Sequence, residues 1–278
     1  MKLPIGIMQG RLTPSTDGRL QFFPQDNWEN EFSLAAEIGF DCLEWVFESN
    51  DWPVNPLLSS TGSIRIAELS MEYGVAVPSV CADYFMDFPL NHPDVFVRQH
   101  SAVLLRDLMV QSHKVGVKTI LIPVLEKAEV KSRADQEDIK SVLGPLVSLA
   151  EELGIVLGLE CSLPAAASAE WASSFKTPQI KIYYDVGNAT SYGFNAAREI
   201  QELSGFLGGV HIKDRNLNGP SVPLGQGGVD FNGVFRSLKN IGYNRPIILQ
   251  AARDPEDRVQ ENARKNLNFV RGFFGTLN

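Results

Sequence analysis

Short apolar runs alternate with longer amphipathic stretches along the whole sequence, and this alternation restricts the chain to very few folds. Eight runs have the length and composition of strands, and they cover residues 3–8, 40–46, 75–82, 118–124, 155–160, 180–185, 208–214 and 246–251. They are nearly continuous apolar runs, as expected for parallel strands that are buried on both faces. The alternation therefore predicts a parallel sheet built from strand–helix units.

The stretches between these runs have the periodicity of helices. It predicts helices near residues 28–38, 63–73, 91–115, 136–153, 195–206, 230–241 and 254–274. Eight strand–helix units in 278 residues fit a closed (β/α)8 barrel, the TIM barrel. We expect a single α/β domain of this type over residues 1–278.

An open, doubly wound sheet is the structural alternative to the barrel. It would normally carry a glycine-rich phosphate loop after an early strand. The segment MQGRLTPS, which follows the first apolar run, has one glycine and no GxGxxG motif. This difference favours the barrel.

The composition argues against two classes of partner. The formal net charge is −8 and the pI is about 5.1, so broad attraction to nucleic acid or to an anionic membrane is not expected. The sequence has no apolar stretch of membrane-spanning length, and its three cysteines are widely spaced without a metal-binding motif. We expect a reduced, cytoplasmic protein that binds a small molecule.

Polar residues end the last four apolar runs. They are Glu160, Asp185, His211 and Gln250. The active site of a (β/α)8 barrel forms at the C-terminal ends of its strands, and neighbouring strands lie about 5 Å apart. Two carboxylates, an imidazole and an amide oxygen suit one divalent ion such as Mn²⁺, Zn²⁺, Co²⁺ or Mg²⁺. Each residue alone has an ordinary structural explanation, but the joint pattern predicts a metal site.

Further polar residues near the same strand ends are candidates for substrate contacts. Basic side chains would donate to a phosphate or a polyol oxygen, and carboxylates or amides would bind sugar hydroxyls. A solvated loop charge is the alternative for each basic residue. The glycines at 225, 227 and 228 give a weak signal for phosphate binding. The candidates for substrate contacts are Arg11, Glu44, Asn188, Lys213, Asp214 and Arg215.

With these residues in place, the sequence resembles the xylose isomerase-like sugar isomerases and epimerases, a barrel superfamily that also includes endonuclease IV and inosose dehydratase. The matching segments are LGLE (157–160), YYDVGN (183–188), HIKD (211–214), VPLGQGGVDF (222–231) and IGYNRPIILQ (241–250). The run VPSVCADYFMDFPL (77–90) is similar to the L-ribulose-5-phosphate 3-epimerase branch. That branch also has the Asp-x-Gly-Asn motif found at 185–188 and a Pro-hydrophobe-Gly-Glu-Gly loop similar to 223–227.

The resemblance implies a reaction and a site. Members of this family remove a proton next to a carbonyl group of a ketose or sugar phosphate through a metal-stabilised enediolate. Glutamates of strands five and eight exchange the proton on opposite faces of the substrate. On this resemblance Glu160, Asp185, His211 and Gln250 are the metal ligands, and Glu160 is the main base. Relatives are often dimers or tetramers, which implies a homo-oligomer here.

Gln250 departs from the family, because the epimerases have their second glutamate there. An amide oxygen binds a cation but does not accept and hold a proton near neutral pH. An isomerase or epimerase remains one hypothesis, with Asp214, Glu44 or a metal-bound water supplying the second proton. A sugar dehydratase of the inosose dehydratase type and a catalytically impaired sugar-binding barrel are the others. An endonuclease IV-like phosphoesterase is disfavoured, since it would usually need more histidine ligands.

Overall fold

The strands form a closed barrel. The computed structural model describes residues 3–15, 17–50, 52–254, 256 and 258–275. Within these residues eight parallel strands close in the order β1-β8-β7-β6-β5-β4-β3-β2, which confirms the predicted (β/α)8 fold. The strands are β1 Ile5–Met8, β2 Cys42–Val46, β3 Ala76–Cys81, β4 Thr119–Val124, β5 Val156–Cys161, β6 Ile180–Asp185, β7 Leu207–Ile212 and β8 Ile247–Leu249.

Helices follow the strands in the expected alternation. A short antiparallel ribbon, Asp214–Arg215 with Ser221–Val222, follows β7, and short helices Tyr84–Asp87 and Val186–Ser191 follow β3 and β6. Among the described residues, no helix combines the length and apolar character needed to cross a membrane. The longer helices are α1 Asn30–Ile38, α2 Ser60–Tyr73, α3 Val95–Lys114, α4 Arg133–Leu143, α5 Val147–Leu153, α6 Ala165–Ser174, α7 Ala196–Glu202, α8 Phe231–Asn240 and α9 Val259–Gly275.

Three helices differ from the sequence prediction. The single helix expected over 136–153 is two helices, α4 and α5, separated by a 3-10 turn that contains Pro145. Proline lacks a backbone N–H and clashes with the preceding turn, so a continuous helix is interrupted there. No bounds were predicted for the alanine-rich α6. The expected start of the last helix at 254 precedes its observed start at Val259, and residues 255 and 257 lie outside the described residues.

A glycine in β7 makes room for a large side chain inside the barrel. A Cβ atom on Gly209 would lie 2.2 Å from Cε2 of Tyr183 on β6. Tyr183 is buried, and its ring centroid lies 4.6 Å from that of His211 on β7. The missing side chain at 209 therefore determines where the Tyr183 ring lies in the core.

We expect Gly209→Ala to destabilise the protein by about 1–3 kcal/mol, because the added methyl group overlaps the packed Tyr183 ring. Gly205→Ala is the matched control, since an added Cβ there meets nothing within 4 Å. The control should change stability by no more than about 0.5 kcal/mol. Urea denaturation gives both values, and equal midpoints for the two variants would contradict the assigned packing.

Candidate active site

Three of the four predicted metal ligands converge at the C-terminal end of the barrel. Glu160 on β5, Asp185 on β6 and His211 on β7 each offer a ligand atom, and these atoms all lie within 4.8 Å of one another. Asp185 and His211 are register partners on neighbouring strands. All three side chains are buried. The strand-end pattern thus brings two carboxylates and an imidazole together in one cluster.

Gln250 lies directly after β8, and β8 pairs with β7, which carries His211. Its backbone N–H donates to the carbonyl oxygen of Ile212 at 3.0 Å. Its side-chain Nε2 donates to Oε1 of Gln21 at 2.7 Å, whereas its own Oε1 is buried and has no hydrogen-bond partner in the part of the chain that the structure describes. The amide therefore has its nitrogen bound and its oxygen free.

Buried acceptor atoms lie among the predicted metal ligands. Within the described residues, His211 Nδ1 and Gln250 Oε1 have no hydrogen-bond partner, and Asp185 Oδ2 has only the ammonium group of Lys213, at 3.0 Å. A buried polar atom without a partner costs about 1–3 kcal/mol, so the two unpaired acceptors require an explanation. Together with Glu160, the three predicted ligands form the mixed oxygen and nitrogen set that divalent ions accept. The donor set therefore fits a divalent ion.

Glu44 lies inside the barrel and contacts His211. The sequence predicts it as a substrate contact near the strand ends. Its Oε1 lies 2.5 Å from His211 Nε2, and its Oε2 accepts hydrogen bonds from Ser79 Oγ and Tyr183 Oη, both at 2.7 Å. Its side chain is fully buried and is not among the residues that line the cavity described below. Since a carboxylate only accepts, Nε2 carries the hydrogen and Nδ1 of His211 is left as an acceptor.

The burial of these groups changes their acid–base behaviour. Burial and the nearby charge of Asp185 raise the pKa of Glu160 to about 7. Burial lowers the pKa of His211, but the charges of Glu44, Glu160 and Asp185 outweigh it, so that this pKa is raised. A carboxyl group that titrates near pH 7 is well suited to accept and return a proton.

Asp214 also differs from its predicted role as a substrate contact. Its carboxylate accepts hydrogen bonds from the N–H groups of Gly225 and Gly227, both at 2.9 Å, and of Val229 at 3.2 Å. The side chain is fully buried. Asp214 therefore holds the loop that precedes α8, and it occupies amide groups that the sequence analysis had considered for phosphate.

Asn188, Lys213 and Arg215 line the cavity next to Glu160, as a substrate contact requires. Arg215 Nη1 donates to Asn188 Oδ1 at 2.8 Å, and Asn188 Nδ2 donates to Glu160 Oε1 at 2.9 Å. A guanidinium group only donates, so Arg215 fixes the Asn188 amide with its NH₂ group toward Glu160.

Arg11 lies behind the cavity wall. It is buried, its Nη1 donates to the carbonyl oxygen of Leu20, and it is not among the residues that line the cavity. Burial and the neighbouring Arg253 lower the pKa of Arg11 to about 9. Its position does not support the predicted substrate contact.

A cavity of about 550 Å³ is lined by Glu160 and Gln250, and this size is typical of small-molecule sites. Its wall also includes polar residues that the sequence patterns do not indicate, among them Gln21 and Asp83. Gln21 lies in the irregular segment before α1, where no periodicity indicates its direction. Asp83 comes two residues after β3, and this position at the C-terminal end of a strand was the signal that would have found it.

Replacing Glu44 should lower the pKa of His211, because the adjacent carboxylate stabilises the protonated imidazole. We expect this for Glu44→Gln, measured by NMR titration of the histidine ring signals in metal-free protein. Glu199→Gln is the matched control, since Glu199 is also buried and accepts from a tyrosine, Tyr184, without touching His211. An equal pKa of His211 in both variants would show that Glu44 does not control this ring.

The sequence matches one family model and curated proteins of known activity. The model described as xylose isomerase-like TIM barrel matches residues 32–272. L-ribulose-5-phosphate 3-epimerase UlaE of Escherichia coli O1:K1 / APEC is 27% identical over 270 residues, covering 93% of this chain and 92% of that protein. The protein of the same name from Salmonella heidelberg (strain SL476) is 26% identical over 260 residues, covering 90% and 87%.

Solved structures of sugar epimerases share the fold. An L-ribulose 3-epimerase superposes with a TM-score of 0.80 at 18% identity, over 99% of this chain and 95% of the other. A D-allulose 3-epimerase from Methylomonas sp., in complex with D-allulose, gives a TM-score of 0.75 at 18% identity, over 98% and 97%. At these identities the similarity establishes the shared barrel and does not identify a substrate.

Proposed function

The chain belongs to the xylose isomerase-like TIM barrel family, and we propose that it is a divalent-metal-dependent isomerase or epimerase of a ketose or a sugar phosphate. One observation carries this proposal. Glu160, with a pKa of about 7, lines a sugar-sized cavity beside the buried acceptors of Asp185, His211 and Gln250. The named activities of the relatives, which are 3-epimerases of L-ribulose 5-phosphate, L-ribulose and D-allulose, support this substrate class.

The side chains have distinct roles in this reaction. Glu160, Asp185, His211 and Gln250 would hold the metal ion, whose charge stabilises the negative charge that develops on substrate oxygens. Glu160 takes the proton from the carbon next to the carbonyl group and returns it. Asn188 Nδ2 donates to Glu160 Oε1 at 2.9 Å and so orients this carboxylate. Lys213 donates to substrate oxygens from the cavity wall.

A sugar dehydratase of the inosose dehydratase type is the second candidate, and Gln250 is the observation that favours it. Epimerisation needs two proton-exchanging groups on opposite faces of the substrate, and Gln250 does not titrate near neutral pH. Asp214 and Glu44, which were considered for the second proton, are fully buried and bound by other groups. Loss of water next to a carbonyl group can start from Glu160 alone.

Glu160→Gln should slow solvent exchange of the substrate by about 10²- to 10⁴-fold, because the variant lacks the group that accepts the proton. The assay uses protein with Mn²⁺ in D₂O, and NMR follows deuterium uptake next to the carbonyl group of ketoses and ketose phosphates. Glu170→Gln on α6 is the matched control, since this glutamate is exposed and is not among the residues that line the cavity.

Each outcome of the exchange assay has a separate meaning. Exchange without net loss of water supports an isomerase or epimerase, and formation of a dehydrated product supports the second candidate. Equal rates in wild type and Glu160→Gln would exclude Glu160 as the base. No exchange on any of the sugars would favour a sugar-binding barrel with impaired chemistry.

The protein should bind about one Mn²⁺ per chain, and more tightly as the pH rises through about 7. Burial and Asp185 raise the pKa of Glu160, so below pH 7 the carboxyl group is protonated and a proton competes with the metal. Mass spectrometry after dialysis with Mn²⁺ at pH 6 and at pH 8 measures both effects.

Asp185→Asn is the control for the metal site. It removes the charge but keeps an Oδ1 that accepts hydrogen bonds from the N–H groups of Gly187 and Asn188, both at 2.8 Å in the wild type. The variant should lose the ion and keep the helix start. Equal metal content in this variant and in the wild type would argue against the proposed site.

A further inference from the structure

A chain of three side chains runs from Gln250 to the half-buried carboxylate of Asp83, and we infer that Asp83 and Gln21 determine which end of the Gln250 amide faces the metal cluster. Gln250 Nε2 donates to Gln21 Oε1 at 2.7 Å, and Gln21 Nε2 donates to Asp83 Oδ2. We call Asp83, Gln21 and Gln250 the amide chain. The inference rests on the proposed function, since it concerns how Gln250 meets the metal ion.

The direction of every hydrogen bond in the amide chain follows from Asp83. Oδ2 of Asp83 accepts from Gln21 Nε2 while Oδ1 accepts from Cys81 Sγ, so Gln21 turns its NH₂ group toward Asp83. The oxygen of the same planar amide then faces Gln250, and Gln250 donates a hydrogen bond to it from its own NH₂ group. This leaves Oε1 of Gln250 as the free end, and this atom is the buried acceptor without a partner.

The surroundings hold the carboxylate of Asp83 in place. Its Oδ1 accepts a hydrogen bond from Cys81 Sγ at 3.3 Å, and Gln21 Nε2 lies 3.7 Å from the same sulfur. Cys81 ends β3 and is buried. The amide chain therefore starts from a rigid strand end and extends along the cavity wall to the end of β8.

The same geometry explains why residue 250 is an amide. With Asp83 holding the NH₂ group of Gln21, the oxygen of Gln21 faces residue 250. A glutamate there would place a second acceptor against this oxygen, and the contact would be repulsive. A carboxylate at 83 and an amide at 250 are therefore complementary, and replacing either one alone should weaken metal binding.

The test measures Mn²⁺ affinity by isothermal titration calorimetry, without any substrate. Asp83→Asn should weaken Mn²⁺ binding by about 10- to 100-fold, as is usual when a group that orients a metal ligand is lost. In the Gln250→Glu background the same substitution should instead strengthen binding, because an amide at position 83 lets Gln21 turn its NH₂ group toward the introduced glutamate. Loss of a negative charge alone would weaken binding in both backgrounds, so the change of sign identifies the orienting role.

Two further variants keep the test decisive. Asp87→Asn removes a carboxylate that also lines the cavity but is bound by Lys127 and Ser49, and it should change the affinity by less than about twofold. Gln21→Leu removes the partner of Gln250 Nε2 and should weaken binding as Asp83→Asn does, with thermal denaturation reporting folding. If Asp83→Asn does not fold, Gln21→Leu decides alone.

The outcomes that would overturn the inference are distinct from those that concern the function. The inference is overturned if Asp83→Asn or a folded Gln21→Leu binds Mn²⁺ with wild-type affinity. It is also overturned if Asp83→Asn weakens binding equally in the wild-type and the Gln250→Glu backgrounds. Wild-type affinity with loss of solvent exchange in Asp83→Asn overturns it too, and assigns Asp83 to proton transfer. If the wild-type protein binds no Mn²⁺, the proposed metal site fails and the inference fails with it.

Discussion

The contact between Glu44 and His211 inside the barrel is the interaction on which the site depends. Two ionisable groups are buried there, and burying them without partners would be costly. Ser79 and Tyr183 both donate to Oε2 of this carboxylate and His211 Nε2 contacts Oε1, so both oxygens have hydrogen-bond partners. Tyr183 in turn has its place because β7 has a glycine at 209. Through these contacts, core packing determines which nitrogen of His211 is left as an acceptor.

On two sides of the cluster, beside Glu160 and at Gln250, a hydrogen-bonded neighbour orients an amide side chain. Arg215 can only donate, and it orients the amide of Asn188 toward Glu160. Asp83 accepts from Gln21, and the inferred amide chain orients Gln250. An amide alone has two nearly isosteric orientations, and contact with a group of fixed hydrogen-bond polarity selects one of them. A site built from amides and carboxylates gains a defined arrangement of donors and acceptors in this way.

The sequence predicts the barrel and the strand-end cluster because both follow from local patterns. Apolar runs of strand length recur eight times, and a residue at the end of a run must lie at one end of the barrel. The roles of Glu44 and Asp214 do not follow from such patterns. Glu44 occupies a strand position similar to that of Glu160, but its partners Tyr183 and His211 are 139 and 167 residues away in sequence. Such contacts depend on the three-dimensional packing of the barrel.

The amide at position 250 also has an electrostatic consequence for the base. Burial and the single charge of Asp185 already raise the pKa of Glu160 to about 7. A third carboxylate at 250 would add a like charge to the same region and raise this pKa further. With an amide at 250, the protein keeps an oxygen at the end of β8 and leaves Glu160 able to ionise near pH 7.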